Sequence, residues 1–151
     1  MPTAPVSVVA AGLTLVVVAV VNWAPARIDI ADPAPSASPE QVVEVYLTAV
    51  TARDFATANR LTLGDRFRYS RLDRAPRYLE LRVGPAQNLK PGDPTDGQSS
   101  ADAFARAARV PVSFHLHGGD TSQTDGPTEF GYLVVRNDDS EPWLIVDSGV
   151  V

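Results

Sequence analysis

From Val6 to Ala24 the chain reads VSVVAAGLTLVVVAVVNWA, nineteen residues without a charge. At a rise of ~1.5 Å per residue, such a helix covers about 28 Å, close to the hydrocarbon thickness of a bilayer. Ten of these residues are Val or Leu. Each contributes roughly −0.3 to −0.6 kcal/mol near the bilayer centre, which offsets the small costs of Ser7, Gly12 and Thr14. No polar residue recurs at helical spacing, as a core helix of a water-soluble domain would require. The pattern predicts a membrane segment over 1–24 that ends at an interfacial Trp23. Two fates stay open: an uncleaved single-pass anchor, or a signal cut at the small-x-small step Ala24-Pro25-Ala26. No Lys or Arg precedes the segment and Arg27 follows it, so the flanking charges do not decide its orientation.

Residues 25–37 turn to Pro, Ala, Ser and Asp, which predicts an extended linker without packed structure. The body, 38–151, opens on a helix start: Ser38 as N-cap, Pro39 in the first turn, and Gln41 to complete a capping box. Val42, Val43, Tyr46, Ala49 and Val50 recur at three- and four-residue spacing, giving one apolar face. The period breaks near Arg53-Asp54 and re-forms over Phe55, Ala58 and Leu61, so two helices meet at a bend, the second ending at Gly64. The charged segment 65–77 has no settled period, with a short third helix as one reading.

Beyond it the period becomes two. Tyr78 to Val83 alternates, placing Leu79, Leu81 and Val83 on the buried face and Tyr78, Glu80 and Arg82 on the other. Residues 88–100 are a loop by their turn residues, and 101–109 a helical turn or irregular edge. Val110, Val112, Phe114 and Leu116 alternate with Pro111, Ser113, His115 and His117. After a loop over 118–127, Phe130–Val135 and Trp143–Val146 are apolar on both faces, which predicts two central strands joined through 137–140. Helices first and about four antiparallel strands afterwards give an α+β fold: a membrane helix, then helices packed on a curved antiparallel sheet.

Composition narrows the function. The net charge of −5 opposes a nucleic-acid role, which needs a basic face. There is no Cys, hence no disulfide, thiolate metal site or cysteine nucleophile. The charge is uneven, with Arg66, Arg68, Arg71, Arg74 and Arg77 crowded into one stretch and an acidic balance from Asp93 onward. Such a run is either a solvated face or a patch for anionic lipid heads or an acidic partner.

Three passages resemble the nuclear transport factor 2-like superfamily: SPEQVVEVYLTAVTARDFATANRL (38–61), RVPVSFHLHG (109–118) and PWLIVDSG (142–149). The first resembles the family's opening helix pair, the second a mid-sheet strand, the third its closing strand. The resemblance implies a cone of helices packed into a bent sheet. It also implies an interior lined by Tyr46, Phe55, Phe114, Tyr132 and Trp143 as ligand-pocket candidates. Tethered relatives in bacteria with G+C-rich genomes serve as envelope interaction domains, so an envelope or membrane protein partner is implied, as is a homodimer through the outer sheet face.

The superfamily also holds isomerases and cyclases with an acid or base inside the cone. Tyr46, Tyr132, Asp147, His115 and His117 are the residues that such chemistry would draw on, and they form no readable dyad. Tyr46 reads as a core residue with its hydroxyl at the rim, and Asp147 as a strand end. His115 and His117 share a strand face but lack a patterned third ligand, so no metal or cofactor is expected. The sequence therefore predicts an extracytoplasmic, membrane-tethered domain for protein interaction or small-ligand binding, without catalysis. The alternatives are an isomerase- or cyclase-like enzyme acting on an apolar small molecule and, for location, secretion after cleavage.

Overall fold

The computed structural model describes residues 28–64, 68–70, 74–90, 101–119 and 124–150. Among them no helix is long and apolar enough to cross a membrane. The segment 6–24, for which a membrane role is expected, lies outside the described residues.

Helix α1 spans Pro39–Thr51 and starts where its capping box predicts. The Gln41 N–H donates to Ser38 Oγ at 3.4 Å, and the Ser38 N–H donates to Gln41 Oε1 at 2.8 Å. Its apolar stripe is fully enclosed, with Val42, Val43, Leu47, Ala49 and Val50 at 0 % exposure. Each large side chain buried in this way contributes roughly 1.5–3 kcal/mol. The helix closes in a Schellman turn: Asp54 N–H reaches Ala49 O at 2.8 Å and Arg53 N–H reaches Val50 O at 3.0 Å. Arg53 therefore takes the left-handed position, with φ 60°, that glycine usually fills. Helix α2, Phe55–Arg60, follows at once with Asp54 as its N-cap. It stops at Arg60, before the expected Gly64.

The sheet is antiparallel, with strands β1 (Arg77–Val83), β2 (Gln87–Leu89), β3 (Arg106–His117), β4 (Gly126–Arg136) and β5 (Leu144–Val150). Its order is β1-β3-β4-β5, and β2 also pairs with β3. Two helices packed against an antiparallel sheet make the fold α+β, and no helix occurs in 68–70 or 74–76. A 3₁₀ turn, Ala101–Ala103, precedes β3, and β2 and the first residues of β3 are strand where the sequence predicts a loop over 88–100 and a helical turn or irregular edge over 101–109, because pairing with β3 and β4 supplies what no local period shows.

Three further expectations are corrected. In β1, strict alternation would bury Leu79 and expose Tyr78. Instead the register against β3 slips between Leu79 and Arg82, and Glu80 adopts φ 54°. The extra residue reverses the phase, so Tyr78, Leu81 and Val83 face the core and Leu79 is 38 % exposed. Strand β5 is not central: β4 lies between β3 and β5, and β5 ends the sheet. Its outer edge is covered by residues 61–63, through Ile145 N–H to Leu61 O and Leu63 N–H to Ile145 O, both 2.8 Å. Both of its faces are apolar because Ile145 joins the main core while Val146 packs on a second cluster across the sheet.

The linker, expected to be unpacked, is bound to the body from Ile30 onward. Ile30 packs on the core, its N–H donates to Asp54 Oδ2 at 3.0 Å, and its carbonyl accepts from Thr57 Oγ1 at 3.2 Å. Ala37 is itself buried.

Candidate functional site

The chain has four tyrosines, and the fold brings all of them to the sheet face that meets the helices. Tyr46 comes from the buried stripe of α1, Tyr132 from the inward set of β4, and Tyr78 from β1 through its bulge. Tyr69 arrives on an irregular segment that α2 holds like a strand. The Asn59 amide donates to Tyr69 O at 2.9 Å, and its carbonyl oxygen accepts from Tyr69 N–H at 2.9 Å. The Tyr69 ring then stacks on Phe55, with centroids 5.3 Å apart. Tyr78 N–H donates to Thr51 Oγ1 at 3.2 Å, tying the start of β1 to the end of α1.

The rings pack edge to face: Tyr46 on Tyr132 at 5.9 Å, Tyr78 on Phe114 at 4.8 Å, and Phe114 on Phe130 at 5.7 Å. The four phenols follow one another as a relay, Tyr132 beside Tyr78, Tyr78 beside Tyr69 and Tyr69 beside Tyr46, each close enough to act on its neighbour's ionisation. Burial pushes the phenols of Tyr46, Tyr78 and Tyr132 well above their ordinary range; neighbouring phenols push Tyr46 and Tyr132 further, while Tyr78 is raised by Tyr69 and lowered by Tyr132. A phenol in this state is a neutral hydrogen-bond donor and acceptor near pH 7 and does not serve as a base. Tyr46 and Tyr132 are 2 % and 3 % exposed, whereas Tyr69 and Tyr78 are half-buried, so the relay runs from the core to its margin.

Of the residues that the sequence put forward as ligand-lining, Tyr46, Phe114 and Tyr132 meet in this cluster, and Phe55 borders it through Tyr69. Trp143 is buried in the same main core but outside these ring contacts. The Arg136 guanidinium lies 4.5 Å over its ring, and it lines a separate hollow of ≈ 530 Å³ with Pro39, Asn88 and Arg106. Both Arg106 and Arg136 bond Asp139 there. Sequence reasoning missed Tyr69 and Tyr78. Tyr69 lies in a stretch without a period, and the alternation that would place Tyr78 toward solvent is broken by the bulge.

On the outer face, two hollows of ≈ 300 and ≈ 410 Å³ share Arg82, Ser113 and Glu129, which are neighbours across β1, β3 and β4. His115 lines the second. His117, paired with Asp125 at 3.2 Å, lies at the strand end. Among the described residues no three His, Asp or Glu side chains are grouped to hold a metal ion. Of the arginine run, Arg68, Arg74 and Arg77 are exposed, and Arg66 and Arg71 lie outside the described residues. Asp147 is half-buried on β5, with its side chain accepting from Ser148 N–H at 2.9 Å.

No family model, curated protein or solved structure matches the chain.

Proposed function

We propose that the body is a nuclear transport factor 2-like cone, held beside a membrane by residues 6–24 on the extracytoplasmic side. Its aromatic interior binds a small apolar ligand bearing one hydrogen-bonding oxygen. The tyrosine relay carries this reading. Its rings supply apolar surface, and its hydroxyls, two of them toward the margin at Tyr69 and Tyr78, suit a carbonyl or carboxylate oxygen. Binding is favoured over turnover because the Tyr46, Tyr78 and Tyr132 phenols, with their ionisation suppressed by burial, donate hydrogen bonds and do not abstract protons.

Titration of the full chain in detergent with cyclic ketones and aromatic carboxylic acids, read as a thermal shift, tests the proposal. A ligand at a hundred times its dissociation constant adds about 2.7 kcal/mol to stability. Tyr69→Phe should weaken binding roughly two- to tenfold, the worth of one neutral hydrogen bond. A panel that stabilises neither protein, or stabilises both equally, rejects it. An isomerase- or cyclase-like reading uses the same donors to hold an enolate oxygen. Ligand-dependent exchange of a ketone's α-protons into deuterated water, abolished by Tyr69→Phe, would select it.

The outer face supports contact with a second copy or an envelope protein. Arg82 and Glu129 flank Ser113, so a two-fold-related copy pairs each Arg82 with the other's Glu129. Sedimentation of the detergent-solubilised chain should then show a dimer that Arg82→Glu splits and that Arg82→Glu with Glu129→Arg restores.

A further inference from the structure

We infer that the end of the body from which the chain departs toward residues 6–24 is a contact surface for anionic lipid headgroups. This rests on the reading of 6–24 as a membrane segment and goes beyond it by assigning the face that meets the bilayer.

The path of residues 28–32 fixes that end. Asp32 is held at the last residue of α2 by the Arg60 guanidinium, at 2.8 and 3.0 Å. Two residues earlier, Ile30 is held at the first turn of α2 by Asp54 and Thr57. The chain thus runs antiparallel to α2 and leaves past its N-terminus, where the Schellman turn presents Arg53. The rest of that end follows from contacts already described. Thr51 fixes Tyr78 and with it the exposed Arg77, preceded by the exposed Arg74. Tyr69 lies on Phe55, so the exposed Arg68 flanks the same turn. Ile28, 62 % exposed, is the last described residue on the departing chain.

Charge and reach then point to the partner. Among the described residues Arg53, Arg68, Arg74 and Arg77 stand at this end, with Asp54 buried beneath the turn, in a chain of net charge −5. Asp29 on the departing chain and Asp125, paired with His117 beside Arg77, are described acids near this end. Residues 25–29 span at most about 18 Å when fully extended, so a bilayer holding residues 6–24 lies close to this end. Each arginine brought to an anionic surface contributes about 1 kcal/mol, within a screening length of roughly 8–10 Å. Arginines beside one exposed aliphatic side chain suit a headgroup layer, where the charges meet phosphates and Ile28 meets the acyl boundary.

The absence of cysteine makes a single introduced thiol a unique labelling site. The full chain, reconstituted into vesicles of phosphatidylcholine alone or mixed with phosphatidylglycerol, would carry a fluorophore at Ala56→Cys, on α2, or at Asn137→Cys, beyond the opposite end of β4. A lipid-borne quencher should dim the Ala56 label in the anionic vesicles only and spare the Asn137 label in both. Contact should weaken about fivefold for each of Arg53, Arg68, Arg74 and Arg77 replaced by Gln, and vanish in ~1 M salt. Equal quenching of the Ala56 label in both vesicle types, or quenching untouched by the Gln replacements, overturns the inference. So does shielding of that label by added envelope protein with no response to lipid, which would make the patch a protein site. Flotation after alkaline extraction from neutral vesicles reads the tether separately. A chain that stays with those vesicles but shows no anion-dependent quenching defeats the surface alone. A chain that is extracted defeats the membrane segment and the inference with it.

Discussion

The inner and outer faces of β3 and β4 share one uninterrupted pairing, from Arg106↔Arg136 to Leu116↔Gly126. They are built differently. Inward, Ala108, Val110, Val112, Phe114 and Leu116 meet Phe130, Tyr132 and Val134 in one core with both helices. Outward, the same strands divide into two zones. Near one end Leu133 and Val135 are buried with Ala101, and Leu89, Phe104 and Val146 pack around them. Further along, Pro111 pairs with Gly131 and Gly131 with Gly149, so little side chain covers the backbone. Register alone therefore does not decide what a sheet face does; whatever crosses it does. The helices cross the inner face along its length, whereas residues 101–104 cross only part of the outer one.

Substitutions can break this contrast. Phe114→Ala, on the inner face, should cost about 3–5 kcal/mol, measured by urea unfolding, because it opens a void between Tyr78 and Phe130. Leu133→Ala, in the smaller outer cluster, should cost about 2–3 kcal/mol, since fewer neighbours enclose it. A loss equal to that of Phe114→Ala would mean that the outer cluster is as integral as the inner one.

Tyr132→Phe should cost about 1 kcal/mol at neutral pH, the worth of its hydroxyl in the relay. The pH dependence sharpens this. The folded phenols of Tyr46, Tyr78 and Tyr132 hold their protons more tightly than the unfolded chain does. Their contribution is therefore fully present below about pH 10 and is lost as pH rises above it. The variant has one such phenol fewer, so its deficit relative to the parent should shrink above that pH. Tyrosinate absorbance from Tyr46, Tyr78 and Tyr132 should appear with unfolding, and early, non-cooperative ionisation of these three would refute the buried relay. The smallest effect belongs to the bare zone. A Cβ at Gly149 meets nothing within 4 Å, so Gly149→Ser should change stability by less than about 0.5 kcal/mol. A larger loss in the detergent-solubilised chain would place a partner on that face.

How much could be read from the chain follows the range of each interaction. The capping box at Ser38 and Gln41, the apolar stripe of α1, the break at Arg53-Asp54 and the inward set of β3 are all written within a few residues, and all four stand in the structure. The candidate site was half legible. Tyr46 and Tyr132 sit in regular periods, so their burial could be read. Tyr69 depends on the Asn59 side chain reaching ten residues along the chain, which no local pattern encodes.

By itself the sequence determined the two helices, the longer strands, their order, the α+β class and most of the inner face, because helix and strand periods are local and repeat; β2, three residues long, is too short for a period to show. Tertiary structure decided where those periods are interrupted and what lies across them. One inserted residue at Glu80 turned Tyr78 inward. The 61–63 edge made β5 a covered border, and Asp54 with Thr57 drew Ile30 out of the linker and onto α2. Each is a contact between residues far apart in sequence, formed only once the chain has closed on itself. That is why the four tyrosines form one relay in the fold and are four unrelated letters in the chain.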